Sequence, residues 1–353
     1  MNLEDKIFSK LEKNKRNEVA LRVISKIKPG YFYLKKEELH SFVKNKLEFM
    51  EQGYLELLGL ESFEPFNYVS KMSHYIFGMI KVIDSNNIMI FSNIKGNNDV
   101  SLNLNMEHLQ RYSVFSGQVV ALRGKNVGNN EFIVENIQCM PMVEINTEKA
   151  KGSCKIKILS GDIDQVTTEN VDVIVLIGVD LSRFKEPLEN WAKTNRNNKV
   201  LVVPTLDDDY SVNVFPQIMQ QDYSPYFETT TNPVEMLVNG KLISINTLDI
   251  LQELKEEEVS LCSGNPSEDP CGDVLFKGDQ IDRLCYHALF QKTYLPTIPS
   301  KYNVQYDAGC LSMRVCPDVY ILKSKLVPFE RKIGPTKVIN LGNNKVTEIE
   351  INL

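Results

Sequence analysis

Residues 112–124 read Tyr-Ser-Val-Phe-Ser-Gly-Gln-Val-Val-Ala-Leu-Arg-Gly and predict the first half of a β-hairpin. Residues 118–123 are mostly apolar, residues 125–130 contain Gly128 and three Asn, and residues 132–137 return to an apolar alternation. Two strand-like runs around a Gly/Asn turn are typical of an antiparallel pair. We expect this hairpin to close a small barrel, but a hairpin by itself indicates no function.

Short β-rich runs alternate with turn clusters on both sides of this stretch. They lie at residues 76–83, 88–94, 100–104, 118–123 and 132–137. Five strands at this spacing predict an OB-fold β-barrel, with residues 106–111 as a short helix within it. Few Arg accompany the aromatic residues, so a core or protein-contact role is favoured over base stacking. These aromatic residues are Tyr75, Phe77, Phe91 and Phe132.

The chain before the barrel has a helical pattern. Apolar residues recur every four positions in residues 1–28, which predicts one or two amphipathic helices ended by Pro29 and Gly30. Residues 35–58 predict a second helix with one apolar face, which we expect to pack on its own domain.

After residue 149 the pattern changes to alternating strands and helices. It predicts a layered α/β sandwich with an exposed loop at residues 262–278. The predicted strands are residues 154–159, 171–177, 199–203, 318–322 and 337–341, with a hairpin at 234–245 that turns at Asn239 and Gly240. The predicted helices are residues 187–194, a helix capped by Asn246, and residues 280–290.

The bulk composition limits the class of protein. A chain of 353 residues is long enough for two or three domains, and 42% hydrophobic with 24% charged residues excludes a mainly disordered chain. The net charge of −6 argues against a protein whose main task is to grip nucleic acid through phosphates. Seven irregularly spaced Cys predict reduced thiols of an intracellular protein. No apolar run approaches the roughly 18 residues of a membrane helix, so we expect a soluble protein without a signal peptide.

The sequences of several stretches resemble those of the B subunits of DNA polymerase alpha, the non-catalytic partners of the polymerase in the primase complex. Residues 112–124 carry the longest match. Other matches follow in family order at residues 76–87, 202–208, 214–217, 232–251, 291–296 and 316–326. The resemblance extends from about residue 39 to residue 340. It implies an OB-fold followed by a calcineurin-like phosphoesterase domain whose metal site has been lost.

The residues that such a metal site needs are missing from the sequence. Two-metal hydrolases cluster Asp, His and Asn ligands at strand ends, but this chain has only four His. Three of them precede the predicted sandwich, and His287 stands alone in a predicted helix, where a packed or surface role is more common than ligation. Residues 161–164 come close to the Gly-Asp-x-x-Asp motif of such sites, but position 165, where the second Asp is needed, holds Gln165. Residues 207–209 are interpreted as an acidic loop. We expect no enzyme activity, no metal and no cofactor.

The predicted fold class is therefore α+β and multidomain. It comprises a short helical N-terminal extension at residues 1–70, an OB-fold β-barrel at residues 71–146 and an inactive phosphoesterase-like α/β sandwich at residues 147–353. The separate N-terminal helical domain usual in the family is not seen in this sequence. The partners recruited through that domain are therefore left open.

By resemblance, the chain is an accessory scaffold subunit in the nucleus. It would bind the C-terminal region of the polymerase alpha catalytic subunit, reach primase through the complex, contact DNA mainly indirectly and contact no membrane. The predicted contact regions are residues 207–217 and 294–306, with Phe215 and Tyr294 as the candidate interface residues. The alternative for both regions is internal packing.

Two other classes of function stay open at this point. One is an active metal-dependent phosphoesterase with unusual ligands, and the other is a single-stranded DNA-binding OB protein, which should bind in a strongly salt-dependent way. A B subunit of polymerase delta or epsilon is an alternative within the same class of function, but residues 112–124 and 317–326 fit the alpha subunits better.

Overall fold

The computed structural model describes residues 21–24, 36–92, 100–140, 154–161, 171–179, 181–194, 198–206, 213–218, 224–262, 275–342 and 346–352. The helices in these ranges are α1 Lys36–Leu58, α2 Leu181–Thr194, α3 Ile250–Glu257, α4 Gln280–Phe290 and α5 Ala308–Leu311. The strands are β1 Leu21–Val23, β2 His74–Asp84, β3 Asn87–Ser92, β4 Val100–Asn105, β5 Arg111–Val114, β6 Val119–Gly128, β7 Glu131–Gln138, β8 Lys155–Gly161, β9 Val173–Ile177, β10 Lys199–Val203, β11 Gln217–Ile218, β12 Glu228–Thr229, β13 Thr231–Asn232, β14 Val234–Val238, β15 Lys241–Asn246, β16 Val259–Cys262, β17 Val319–Leu322, β18 Phe329–Ile333, β19 Thr336–Asn340 and β20 Val346–Asn352.

Five strands close into a barrel in the order β2-β3-β4-β7-β6. All five strands predicted for the barrel are present, and the closing contact is a parallel pair in which Leu104 lies opposite Phe132. Phe77 and Phe132 are buried, which confirms the core role favoured for them. Closure leaves the barrel without a free edge strand.

The short helix predicted at residues 106–111 is wrong. Residues 106–110 form a turn with a Leu109 N to Met106 O hydrogen bond of 3.0 Å, and β5 begins at Arg111. Met106 and Leu109 are both buried in the barrel core. One turn is enough to place these two side chains, and the pairing of β5 with a distant strand ends any helix there.

Two sheets form the α/β part of the molecule. The six-stranded sheet has the order β1-β14-β15-β17-β19-β18, and the five-stranded sheet has the order β12-β10-β9-β8-β20. Val173 and Val175 of β9 point into a core shared by both sheets, whereas Ile174 and Leu176 point into a second core covered by α2. This burial on both faces explains the continuous apolar runs of the central strands. The sandwich layers are confirmed, and α2 begins six residues earlier than predicted.

Part of the helix predicted for residues 1–28 is wrong. Leu21–Val23 is a strand that pairs antiparallel with β14, and Leu21 and Val23 pack against the core between the sheets. The four-residue spacing favours a helix, but here the open edge of β14 supplies tertiary pairing that overrides it. The rest of that prediction lies outside the described residues.

The helix predicted at residues 35–58 is present as α1, and its apolar face is buried. One continuous core joins this face, the barrel and the α/β part, because it contains Leu47, Val119 and Leu284 together. The three predicted domain segments therefore share one interior. The domain boundaries themselves stay a prediction.

The hairpin predicted to turn at Asn239 and Gly240 is present, but the helix after it begins differently. Asp249, not Asn246, is the N-cap of α3, and its side chain accepts the Gln252 N–H at 3.3 Å. The Asn246 side chain is already engaged with the Tyr294 carbonyl and the Leu248 N–H. Helix α4 begins at Gln280 as predicted, with a capping box between Asp279 and Asp282.

The prediction that all seven cysteines are reduced is wrong, because Cys139 is disulfide-bonded. Cys154, Cys262, Cys285, Cys310 and Cys316 are in the reduced thiol form. Most of the loop predicted at residues 262–278 lies outside the described residues. No helix in the described ranges has the length and hydropathy needed to cross a membrane.

Candidate functional site

A two-stranded ribbon connects the barrel region to the α/β part. Strand β5 pairs antiparallel with β16, so that Val114 lies opposite Val259 and Ser113 lies opposite Ser260. These residues are about 145 positions apart in the chain, and the pairing leads directly into a buried polar cluster. We call this contact region between barrel and sandwich the seam.

Four side chains form the polar cluster of the seam. Ser113 Oγ donates to Glu258 Oε1 at 2.6 Å and lies 2.7 Å from His287 Nε2. Arg283 binds the same carboxylate through two nitrogens, at 2.5 Å and 3.1 Å. The side chains of His287 and Glu258 are only 1% and 2% exposed. The cluster therefore ties β5 to α4 in the interior of the molecule.

The charges of the cluster follow from its surroundings. Burial tends to raise the pKa of the Glu258 carboxyl, but the bonds from Arg283 and Ser113 outweigh it and hold that pKa below its usual range. Burial lowers the pKa of His287 to about 4, although Glu258 opposes the shift. The cluster therefore contains an ionised carboxylate, a guanidinium and a neutral imidazole near pH 7.

This grouping of Ser, His and carboxylate does not form a nucleophilic triad. A triad needs the base to take the serine proton and the carboxylate to orient the other ring nitrogen. Here the Ser113 hydroxyl donates to the carboxylate itself, and His287 Nδ1 is buried without a hydrogen-bond partner. Ser113 is 1% exposed, so no substrate reaches it. We interpret the cluster as structural.

Further hydrogen bonds of the seam come from side chains to the barrel backbone. Gln291 accepts the Val119 N–H at 2.8 Å and donates to the Val119 carbonyl at 3.3 Å. Tyr54 donates to that carbonyl at 3.2 Å, and Lys46 donates to the Gly117 carbonyl at 3.0 Å. Burial lowers the pKa of Lys46 to about 7. Helix α1 and the residue that directly follows α4 thus both hold the start of strand β6.

The backbones themselves come close together at Gly117. Its φ is +96°, and a Cβ placed there would overlap Ile298 N and lie 2.8 Å from the Pro296 carbonyl oxygen. Ile298 N donates to the Ser116 carbonyl at 3.1 Å. Only glycine fits this position, because both the conformation and the space exclude a side chain.

A second polar group lies where several sandwich strands end. Asn232 Nδ2 donates to Gln217 Oε1 at 2.7 Å, and Asn232 Oδ1 accepts the Thr247 N–H at 3.0 Å. Gln217 Nε2 donates to the Thr205 carbonyl at 2.9 Å, and Thr247 Oγ1 donates to the Pro204 carbonyl at 2.8 Å. These are neutral groups that bind one another, and the Asn232 amide uses both of its atoms in doing so.

This strand-end network does not fit a two-metal centre. Two-metal centres cluster carboxylates and imidazoles around any amide ligand, but the side chains here are only amides and hydroxyls whose oxygens already accept or donate within the protein. Among the described residues, no group of three or more His, Cys, Asp or Glu is placed to hold a metal ion. The acidic residues 162, 164 and 207–209 lie outside the described part of the chain.

The family model for the B subunits of DNA polymerases alpha and epsilon matches residues 88–331, more than half of the chain. The chain belongs to this family. The matched region contains the ribbon, the seam cluster and the strand-end network.

Curated DNA polymerase alpha B subunits are similar to this family member at low identity. The Bos taurus protein is 21% identical, with 88% of this chain and 58% of that protein covered. The Rattus norvegicus protein is 20% identical over 84% of this chain and 56% of its own length. The Schizosaccharomyces pombe protein is 21% identical over 75% of this chain and 54% of its own length. The chain thus spans little more than half the length of the relatives it matches, and the resemblance to alpha B subunits is confirmed.

The two candidate interface residues of this family member lie inside the molecule. Phe215 is 0% and Tyr294 is 1% exposed. The Tyr294 hydroxyl donates to Glu235 at 2.7 Å and lies 3.0 Å from Ser244 Oγ. Their side chains therefore pack internally, which was the alternative for both regions, and a partner contact through the surrounding segments stays a prediction.

The sequence does not reveal the seam residues. It singles out His287 only as an isolated histidine, and the buried position of that ring confirms the packed role. The contact of His287 with Ser113 joins residues 174 positions apart. No local spacing signals such a contact. The sequence does contain a local signal for the helix that carries His287. The capping box of Asp279 and Asp282 fixes where α4 begins.

Proposed function

We propose that this chain is a non-catalytic accessory subunit of DNA polymerase alpha–primase. It binds the C-terminal region of the catalytic subunit, links that subunit to primase and so supports primer synthesis at the start of DNA replication in the nucleus. Its contact with DNA is mainly indirect. Family membership supports this role, and the curated relatives that the chain matches are alpha B subunits.

The seam is the observation that carries the proposal. A subunit that works by holding other chains in place needs parts that do not move relative to one another. Here one core includes helix α1, the barrel and α4, and buried hydrogen bonds from Gln291 and Lys46 reinforce it. Paired and buried contacts of this kind resist hinge motion far more than a short linker would. The seam therefore gives the complex a rigid platform.

The strand-end network supports the non-catalytic part of the proposal. We interpret the sandwich as phosphoesterase-like with its catalytic centre replaced by the amides of Asn232 and Gln217. No cluster of carboxylates and imidazoles lies among the described residues of this network to activate a bound water for attack on phosphorus.

The test is reconstitution with the polymerase. The chain is co-expressed with the catalytic subunit of DNA polymerase alpha from the same organism, and the complex is sized by light scattering during gel filtration. We expect a 1:1 complex that is lost when the C-terminal region of the catalytic subunit is removed. Primase should co-elute only when the catalytic subunit is present. Elution of the chain alone in the presence of the intact catalytic subunit would contradict the proposal.

The enzymatic side is tested separately on the purified chain. Hydrolysis of a generic phosphodiester in the presence of manganese should equal the rate without protein. A rate that depends on both the chain and manganese would show that the sandwich is active after all.

A further inference from the structure

A cleft of about 730 Å³ lies beside the edge strands β1 and β12, which belong to different sheets of the sandwich. Its described lining includes Leu21 of β1, Ala192 of α2, Val200 and Leu201 of β10, and Phe227 and Glu228 at β12. Leu21 packs against the core between the sheets, which contains Leu201, whereas Val200 and Phe227 lie in the core under α2. The cleft therefore passes round the edge of β10, from one apolar core to the other.

The first half of strand β10 is open on the side of the cleft. Pairing with β12 covers only Leu201 and Val202, although β10 begins at Lys199. On this side the Thr230 N–H donates to the Val202 carbonyl at 2.8 Å. Backbone groups alternate along a strand, so those of Val200 point the same way, and among the described strands no residue lies opposite Val200 there. An extended segment in the cleft would therefore meet backbone groups as well as apolar side chains.

The chain itself supplies a segment at this place. Leu21 lines the cleft and is the first described residue, so residues 1–20 lead directly up to the cleft wall. Stacked sheets lie about 10 Å apart, a distance that three extended residues span. The charged residues of the described lining are Lys199 and Glu228, one of each sign, so net charge selects neither an acidic nor a basic partner. Covalent position and apolar fit therefore decide what fills the cleft.

We propose that residues 17–20 of this same chain occupy the cleft as a strap that crosses from β1 to the open edge of β10. Side chains alternate along an extended chain, and Leu21 and Val23 face the core while Arg22 is exposed. By this alternation Val19 points into the cleft and Ala20 points outward. The strap joins the two sheets on their open side and fills a space that is otherwise large enough for a small ligand. The proposal goes beyond the proposed function and does not rest on it.

Hydrogen exchange of the full chain, followed by mass spectrometry of its peptides, tests the strap without any polymerase chain. Val19→Asp places a charge in the cleft and should release the strap. Peptides that cover residues 198–202 and 224–228 should then exchange about tenfold faster than in the wild type, because the cleft opens to solvent. Ala20→Asp is the matched control and should exchange like the wild type. Peptides of barrel strand β6 should not change in either variant.

Trp191 gives a second readout on the same variants. It is the only Trp of the chain, and it packs against the core under α2 that contains Val200. Acrylamide should quench its fluorescence more strongly in Val19→Asp than in the wild type or in Ala20→Asp. Val19→Ser, a milder change, should act in the same direction and replaces Val19→Asp if that variant folds poorly.

The results separate the strap from other occupants of the cleft. A response to Val19→Asp alone, in a chain whose molar mass by light scattering is that of a monomer, supports the strap. If folded Val19→Asp leaves both readouts at their wild-type values, or if Ala20→Asp changes them to the same extent, the proposal is wrong. If Val19→Asp instead turns a dimer into a monomer, a second copy of the chain fills the cleft and the proposal is again wrong.

Discussion

Gln291 holds both backbone groups of Val119, accepting its N–H at 2.8 Å and donating to its carbonyl at 3.3 Å. The two residues are 172 positions apart, and both are buried. Val119 begins strand β6, and Gln291 follows helix α4 directly. Val119 is opposite Met79 of β2, and one amide binds its backbone N–H and carbonyl from the sandwich side of the seam.

Gln291→Leu should destabilise the protein by about 2–4 kcal/mol, because it leaves a buried donor and a buried acceptor of Val119 without this partner. Urea unfolding followed by circular dichroism measures the change. Gln52→Leu on the exposed face of α1 is the matched control and should change stability by less than about 0.5 kcal/mol. Equal stability of the two variants would mean that the seam does not depend on this amide.

Gly117→Ala should be more damaging than an ordinary substitution of glycine in the left-handed region. The φ of +96° alone costs about 1–2 kcal/mol, and the approach of Ile298 N adds a steric clash. Gly59→Ala separates the two effects, because its φ is +64° but nothing lies within 4 Å of the added Cβ. Thermal unfolding should show a clearly larger loss for Gly117→Ala. Similar losses of stability would indicate that the backbone near Gly117 shifts enough to make room for the added Cβ.

The sequence identifies most elements but little of the seam. Local signals are sufficient for α1, for the barrel strands and for the start of α4 at Gln280, because periodicity and capping residues act over a few positions. They fail at Leu21–Val23 and at residues 106–110, where a distant strand edge or a barrel core decides the conformation. The contacts of Ser113 with Glu258 and His287 depend on the folded topology alone. No spacing in the sequence could have indicated them.

Phe215→Asp should prevent folding instead of releasing a partner from a folded chain. The Phe215 ring is 0% exposed, and an unpaired charge at that place costs several kcal/mol, which is comparable to the whole stability of a domain. Phe49→Asp is the control, because that ring is 48% exposed. Expression yield and cooperative unfolding distinguish the two variants. A folded Phe215→Asp chain that fails to bind the polymerase would restore Phe215 as a contact residue.

The stability of the wild type should fall as the pH drops from 6.5 towards 4, in part because of His287. Its pKa is about 4 in the folded chain and near the ordinary 6.5 in the unfolded chain, so the unfolded chain binds more protons in this window and acid favours unfolding. Above pH 6.5 both states hold the neutral ring and the effect vanishes. Burial is the main cause of the lowered pKa of His287, Arg283 lowers this pKa further, and Glu258 raises it by less than burial lowers it.

Between pH 7.5 and pH 5, the free energy of unfolding of His287→Gln should therefore fall by about 2 kcal/mol less than that of the wild type. This difference does not depend on how stable the variant is at pH 7.5. Urea unfolding at the two pH values measures the difference, and pH 5 keeps the comparison above the range in which Glu258 takes up its proton. His108→Gln, an exposed histidine, should keep the wild-type pH dependence. If His287→Gln showed the wild-type dependence as well, the ring would bind its proton equally well in the folded and unfolded chains, and burial would not lower its pKa.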